Sequence, residues 1–468
     1  RQHLKADRRQ AFSAATRNFF LRTAGKPPRT PGPYLHHEKQ RVDDPAVACS
    51  LLADSFTRHF ERADATWTDN PLHAEATRHA NALLDSPRST LPPSLHQWAP
   101  HLRRKALLPP PPWDTFPQFF ELYLRKKLRR KALPPSGLLA PAYLMLTQQQ
   151  LHDYARALPL GLGVLPLDHP WRHDILIPIP KTHTRPSPRD FRPIRLTELD
   201  YRALDAFITN HYTQLWDQHN YRHPAQFGFR KGHSCSDALM TLRAAIDRSS
   251  RDQSSLTLLS TDVSKAFDRV PPWTTALALT RMGVSSGIVS FLTSLCSHSI
   301  TRISYLGDSS RPLTLHLGTG QGKPSAAGLI WTAIMDIKLT ALDTWDQQLT
   351  ARTVPLGAIR IGQIAYADDW TGLCSSAAAL DHKLQDATSF YRLIEASINI
   401  SKTTCRWADA NRTLSQPPFL PTLPTTLQWK EGVSVTLPPT CQFPGAVGYF
   451  QPHRDTASPT TPCLVQGV

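Results

Sequence analysis

An α+β fold is what this sequence predicts, on three observations. Apolar runs of strand character stand at Asp174–Pro180, Leu256–Val263 and Ile359–Leu373. Apolar residues at helical spacing precede and separate them, as in Phe116–Leu133 and Leu199–Leu215. The two kinds of segment follow one another without regular βαβ alternation, which argues against a doubly wound parallel sheet.

In chain order, residues 1–100 read as helical and polar, with short apolar clusters at Phe12–Leu21 and Ala46–Phe60. A near-repeat follows, Arg103-Arg104-Lys105-Ala106-Leu107 and then Arg129-Arg130-Lys131-Ala132-Leu133, but two copies do not make a solenoid. Phe116, Phe120, Tyr123, Leu124 and Leu128 fall at three- and four-residue steps, which predicts an amphipathic helix with a basic far face. Such a face suits a solvated surface, a phosphate contact or a nuclear-import signal, and the three stay open. Asp174–Pro180 predicts a short strand closed by prolines, followed by a basic loop from Lys181 to Arg195. Leu199–Leu215 predicts a helix and Leu256–Val263 a strand, and further apolar runs surround the aspartates 368 and 369.

At 468 residues the chain has room for about three domains. Its 40% hydrophobic content and 18 Phe supply real cores and exclude wholesale disorder. The 42 Pro and 21 Gly are too few for a collagen-like or low-complexity chain. Prolines gather at Pro109–Pro112 and between Pro417 and Pro439, as linkers and turns do. Lys and Arg outnumber Asp and Glu by 53 to 37, and a net +16 favours an anionic partner, nucleic acid or acidic membrane. Residues 1–150 hold 23 of the basic residues against 12 acidic ones, so the first third is the prime candidate for that contact.

The 7 cysteines (Cys49, Cys235, Cys296, Cys374, Cys405, Cys441 and Cys463) form no CxxC pair. With no signal peptide, an intracellular reducing compartment is expected, nucleus or cytoplasm, without a disulfide framework or zinc finger. No run approaches ~18 apolar residues, so no membrane partner is expected. A chain that opens on Arg1 is expected to be part of a longer product.

The chemistry concentrates at two strand ends. Tyr366-Ala367-Asp368-Asp369 lies between apolar runs. Aspartates are common in plain hairpin turns, yet two adjacent carboxylates repel each other and a cation relieves that repulsion. Magnesium takes oxygen ligands from one or two carboxylates plus substrate phosphates. The second signal is Leu258-Leu259-Ser260-Thr261-Asp262-Val263-Ser264-Lys265-Ala266-Phe267-Asp268, where an acid ends an apolar strand and an aromatic follows. Two metals held ~3.5–4 Å apart by such carboxylates can activate a hydroxyl and stabilise a leaving oxygen, as nucleotidyl transfer requires.

An ordered set of motifs carries a family resemblance. It runs Ile177-Pro-Ile-Pro-Lys181, Asp190-Phe191-Arg192-Pro193-Ile194, a helix from about Leu199, Gln226-Phe-Gly-Phe-Arg-Lys-Gly232, and Thr261-Asp262 through Phe267-Asp268. Gly320-Gln321-Gly322-Lys323-Pro324-Ser325, Tyr366 to Asp369, Asn399-Ile-Ser-Lys402-Thr403 and Gln442-Phe443-Pro444-Gly445 complete it. Over about 130–450 the chain resembles the reverse transcriptase domain of non-LTR (LINE-type) retrotransposons.

The resemblance implies a right-hand polymerase fold. Its expected parts are a basic, mostly helical N-terminal extension (1–135), fingers (136–257), a palm with catalytic and primer-grip hairpins (258–450) and a Thr/Pro-rich tail (451–468), the thumb being truncated. Asp262, Asp368 and the Val263 carbonyl are implied ligands of two Mg²⁺ ions, for which Mn²⁺ can substitute, and Asp369 is the third carboxylate, nearer the primer end. The implied reaction is attack of a DNA primer 3′-hydroxyl on a dNTP, directed by an RNA template. Lys181 and Arg192 are implied to clamp the triphosphate, which planar Arg donors suit, and Phe267 to exclude a 2′-hydroxyl. Gln321 and Gly322 are implied to meet the incoming nucleotide or template, Lys402 to protonate the leaving pyrophosphate, and Arg230 and Lys231 to touch template backbone. Other segments of an element-encoded polyprotein are the implied partners in cis.

Three departures stand out. Ala326-Ala327-Gly328 replaces the usual Ser-Pro step, and Gly320 stands where Pro or Arg is usual, so a softer loop is expected there. Pro444 stands where Leu is usual in the primer-grip hairpin, and Pro removes a ladder donor. Gly318-Thr-Gly-Gln-Gly-Lys323 is not a phosphate loop, because Leu317 and Pro324 occupy positions that need Gly and Ser or Thr. Gly161-Leu-Gly163 lacks its third Gly, and His36-His37-Glu38 lacks the second His of a zinc-protease helix. The alternatives to an active enzyme of this kind are a catalytically inactive nucleic-acid-binding remnant and a group II intron-type reverse transcriptase.

Overall fold

Both faces of the strand Leu256–Thr261 are covered, which is why its sequence runs apolar instead of alternating. The computed structural model that shows this describes residues 35–38, 40–60, 73–85, 96–128, 134–181, 185–297, 299–396, 398–399, 402–408, 426–428 and 434–436. The apolar cluster at Phe12–Leu21, the second copy of the basic near-repeat, the Gln442–Gly445 motif and the 451–468 tail lie outside these residues.

The elements around the strand are α1 (Pro45–Phe60), α2 (His73–Asp85), α3 (Phe116–Lys127), α4 (Gln148–Ala157), β1 (His173–Pro180), β2 (Phe191–Leu196), α5 (Leu199–Gln218) and α6 (Cys235–Arg251). After β3 (Leu256–Thr261) come α7 (Pro272–Arg281), α8 (Ser286–Cys296), β4 (Ser299–Tyr305), β5 (Asp308–Ser309), β6 (Leu313–Leu315) and α9 (Thr332–Gln348). Then follow β7 (Gln363–Tyr366), β8 (Asp369–Cys374), α10 (Ala377–Leu393) and β9 (Thr404–Ala408). The predicted α+β class is observed: helices and strands mix, and the main sheets are not built from βαβ units.

One sheet has the order β7-β8-β3-β9, all antiparallel. The other has the order β2-β1-β4-β5, with β6 also on β4, and its β1–β4 pair is parallel. The chain thus returns at residues 299–315 to a sheet it began at residue 173. Leu258 faces a cluster with Ile364, Leu373 and the α6 residues Ala245 and Ile246, while Leu259 faces the main core of α5, α7, α9 and α10. Helix α1 covers the second sheet with Leu52, Phe56 and Phe60 against Leu176, Phe191 and Ile303. Local sequence agrees with these elements: Ser234 and Asp237 close a capping box at the start of α6, as Thr147 and Gln150 do for α4.

As expected, β1 ends at a proline, Pro180, but Pro178 stands inside the strand. Pro178 pairs with Pro193 inside the β1–β2 ladder, beyond Leu176, where the parallel pairing with β4 ends. On that side no partner strand among the described residues asks for its missing N–H, so proline is tolerated.

The described part of the N-terminal third shares the main core. Trp98 is fully buried, 5.0 Å from the Trp345 ring and 5.4 Å from that of Phe390. The same core takes in Leu102, Leu108, Phe116 and Phe120, so packing shows no break at residue 135. Several of its cations meet protein carboxylates: Arg104 pairs with Asp85, Arg125 with Glu121, and Lys105 with Asp336. Asp336, buried on α9, also accepts from Arg281 Nη1 at 2.6 Å and from the His223 amide at 2.8 Å. It thereby ties the 101–108 segment to α7, α9 and the segment after α5. Cys49, Cys235, Cys296 and Cys374 are free thiols, and no helix among the described residues is long and apolar enough to cross a membrane.

Asp205 on α5 gives a pH-dependent stability. Its Oδ2 accepts from the Ser325 amide at 3.1 Å, and the residue is fully buried. Burial pushes its carboxyl from the ordinary 3.8 up to about 6. The folded chain therefore holds this proton more tightly than the unfolded one, and the advantage is lost as pH rises between those two values. Asp205→Asn should stabilise the protein by on the order of 2–3 kcal/mol above about pH 7, with the gain vanishing near pH 4. Melting curves of both proteins across pH test this, and a gain independent of pH would refute it.

Candidate functional site

The register between neighbouring strands brings the acids together. Tyr366 pairs with Asp369 across the β7–β8 hairpin, so Ala367 and Asp368 form its tip. Trp370, next after Asp369, pairs with Thr261, the residue before Asp262. Carboxylates distant in sequence thus become neighbours at one edge of the sheet. Burial, and then the negative charges of Asp369 and Asp262, push the Asp368 carboxyl up to about 6. Asp369, the more open residue, is raised by burial and by Asp262, with Lys402 opposing.

The turn after α10 supplies the groups that face Asp262. Asn399 donates from Nδ2 to Asp262 Oδ2 at 3.1 Å, and its amide donates to the Asp262 carbonyl at 2.8 Å. Lys402 Nζ lies 3.3 Å from the same Oδ2. Val263 bridges to Ile398 in the same place. Asp262, Val263, Asp368, Asp369 and Lys402 are therefore gathered in one site.

Among the described residues no three His, Cys, Asp or Glu side chains are assembled as a ready metal cage. The donors nonetheless fit a hard divalent cation. They are carboxylate oxygens whose mutual repulsion raises Asp368, and one of them already holds a cation in the Lys402 ammonium. Magnesium binding that is completed by substrate phosphates needs only one or two such carboxylates.

The hairpin tip is braced by residues to which the motif reading assigned no role. Gln226 Nε2 donates to the Ala367 carbonyl at 3.0 Å, while its Oε1 accepts from the amides of Ala367 and Gly228 at 2.9 Å. Phe227 and Ala365 add a main-chain bond at 2.8 Å. This brace holds Ala367 at φ 59°, a conformation side chains disfavour. A Cβ on Gly228 would lie 2.4 Å from the Ala367 nitrogen, so only glycine lets the loop approach so closely. The signal in the sequence was the small residue between two Phe, but nothing there names its distant partner.

On the other side, Lys181 and Arg192 are both exposed on the β1–β2 hairpin, where the Lys181 amide donates to the Asp190 carbonyl at 2.7 Å. The Arg195 amide donates to the Gln321 carbonyl at 2.8 Å, and the Thr319 amide to the Phe267 carbonyl at 2.9 Å. The loop expected to be soft is thus held at both ends. Gly320 and Gly322 have φ of 83° and 107°, and a Cβ on Gly322 would lie 2.9 Å from the Arg195 carbonyl oxygen. Pro or Arg at position 320 would be strained in this backbone. The Ala326–Trp331 segment is a π-helical turn leading into α9.

Phe267 is half-buried, its ring 5.7 Å from that of Trp331. Lys265 is a residue the motif reading did not single out. Burial, then the charge of Arg269, lowers its ammonium to about 8, with Lys181 and Arg189 contributing. So many cations within reach of one another suit a polyanion such as a chain of phosphates. Arg230 and Lys231 differ: Arg230 Nε is engaged by Asp217 Oδ1 at 3.1 Å, whereas Lys231 is exposed.

The family profile described as Reverse transcriptase (RNA-dependent DNA polymerase) matches residues 179–418. The chain is 26% identical over 235 residues to the Retrovirus-related Pol polyprotein from type-1 retrotransposable element R2 of Popillia japonica, covering 50% of this chain and 32% of that protein. It is 26% identical over 226 residues to the corresponding polyprotein from type-2 retrotransposable element R2DM of Drosophila melanogaster, covering 48% and 20%. The matched region thus spans well under half the length of either relative. Among solved structures, apo telomerase from Candida tropicalis, truncated from its C-terminal domain, aligns at 12% identity and a TM-score of 0.39, covering 58% of this chain and 56% of that one. Candida albicans telomerase, in complex with a TWJ fragment of telomeric RNA, aligns at 11% and 0.37, covering 64% and 49%.

Proposed function

This chain belongs to the reverse transcriptase (RNA-dependent DNA polymerase) family, and we propose that it extends a DNA primer with dNTPs on an RNA template, as part of a retroelement polyprotein. The observation that carries this reading is the Trp370–Thr261 register, which sets Asp262 beside the Asp368–Asp369 tip. We assign residues 136–257 to the fingers of a right-hand polymerase, joined there by the returning strands at 299–315, and the rest of 258–450 to its palm.

Asp262, Asp368 and the Val263 carbonyl would hold the divalent cations, Mg²⁺ or in its place Mn²⁺, with Asp369 toward the primer end. When bound, these ions supply Lewis-acid polarisation of phosphoryl oxygens and a more acidic 3′-hydroxyl. Lys181 and Arg192, with Lys265 behind them, bind and orient the triphosphate. Phe267 sits where a 2′-hydroxyl is excluded, and Gln321 and Gly322 line the base side. Lys402 Nζ carries the proton for the departing pyrophosphate and must leave Asp262 to deliver it. Lys231 meets template phosphates, and Arg230 does so at the expense of its Asp217 pairing.

Primer extension on an RNA template, with and without chelator, tests the reading. Full-length product from dNTPs, abolished by EDTA and far weaker with NTPs, is expected. Absence of product together with salt-dependent RNA binding would instead make the chain a binding remnant. Gly228→Ala should lower extension about 100-fold, because an added Cβ displaces the tip by a large fraction of an ångström. A stably folded Gly228→Ala protein with normal extension would show that the brace does not position the acids.

A further inference from the structure

Lys338 on α9 is completely buried, yet among the described residues no carboxylate pairs with it. Its Nζ lies 3.7 Å from the centroid of the Trp370 ring and 4.5 Å from that of Tyr391, and it donates to the Tyr391 hydroxyl at 2.8 Å. Among the described residues that hydroxyl is its one hydrogen-bond partner. Burial holds its pKa well below the lysine range, and the charge of Lys383 adds to this. For stability alone a methionine of similar length would fill the space at lower cost.

The surroundings supply a different account of this residue. Trp370 follows Asp369 and pairs with Thr261, which precedes Asp262. Tyr391 is near Thr261, and its own ionisation is opposed by burial and by the charges of Asp368, Asp369 and Asp262. The lysine head thus lies under the single cross-strand pair that both sets of acids flank. Ring faces attract an N–H donor as well as a cation, so the Lys338 head 3.7 Å from the ring centroid holds Trp370 while its hydrogen bond fixes Tyr391.

We propose that Lys338 is a positioning residue, anchoring Trp370 and Tyr391 beneath the Trp370–Thr261 pair and so setting how Asp262 and Asp368 together hold divalent cations. The inference rests on the nucleotidyl-transfer reading for its purpose, but not for its measurement.

The test uses the whole chain and the variants Lys338→Met, Lys338→Arg and Tyr391→Phe. Mn²⁺ binding is titrated by electron paramagnetic resonance without substrate, and the Mg²⁺ dependence of extension is measured alongside. Lys338→Met should melt no lower than the parent, yet need about tenfold more of either metal, the scale typical of lost outer-sphere partners. The dNTP KM at saturating Mg²⁺ should not change. Lys338→Arg, which keeps N–H donors over Trp370, should recover part of the loss. Tyr391→Phe should shift metal binding the same way by a smaller factor, and it decides the matter if Lys338→Met does not fold. Unchanged Mn²⁺ binding in folded Lys338→Met, or in Tyr391→Phe, overturns the proposal. If the parent protein extends no primer, the polymerase reading fails while the Mn²⁺ titration still decides the role of Lys338.

Discussion

Asp368→Ala and Asp262→Ala should each lower primer extension by on the order of 10³, with little loss of stability. Both groups lie at strand ends rather than in the core, and their charges repel in the folded chain. Removing either therefore relieves strain while deleting an oxygen the reaction needs. Stability should rise slightly in Asp368→Ala, because its carboxyl is the one held near 6 by burial and its acidic neighbours. Asp369→Ala should cost less than either, since it is the most open of the three and has Trp370 holding its strand in register. Extension that survives in both Asp262→Ala and Asp368→Ala would remove the metal assignment altogether.

Asp336→Ala should destabilise the fold by about 3–5 kcal/mol, the largest single loss expected outside the site. Burial opposes the charge on this carboxylate, but Arg281 and Lys105 outweigh it and hold the group below its ordinary range. Deleting it strands a nearly inaccessible guanidinium and leaves the His223 amide without its acceptor. The bond from Lys105 also fastens the 101–108 segment, so that segment should become open to protease before the rest unfolds. Denaturant unfolding and limited proteolysis measure the two effects. A loss below about 1 kcal/mol would mean that water takes over the carboxylate's role.

The acids and the strands that carry them were legible because the chemistry is local. An apolar run covered on both faces and ending in Asp262 reads as a strand end, and Tyr366–Asp369 reads as a hairpin tip. What could not be read depends on contacts across the chain. Gln226 looks like one polar residue in a loop until the Ala367 backbone is seen against it. Arg230 reads as a phosphate contact, but its engagement by Asp217 depends on how α5 ends. Lys338 sits in a helix whose neighbours are all buried, and no spacing rule flags a lysine there. Pro180 ends β1 as its sequence suggests, but the place of Pro178 inside the strand depends on where β4 diverges.

The burial of Trp98 against Trp345 and Phe390 has a consequence for biosynthesis. The partners of this early segment are among the last parts of the core to be translated. At roughly 5–20 residues per second, its apolar side chains wait on the order of 15–60 s after leaving the ribosome before their partners exist. Until then Trp98 lacks the rings it packs against and is a ready target for holdase chaperones, and the packing around it is completed only when the far end of the core arrives.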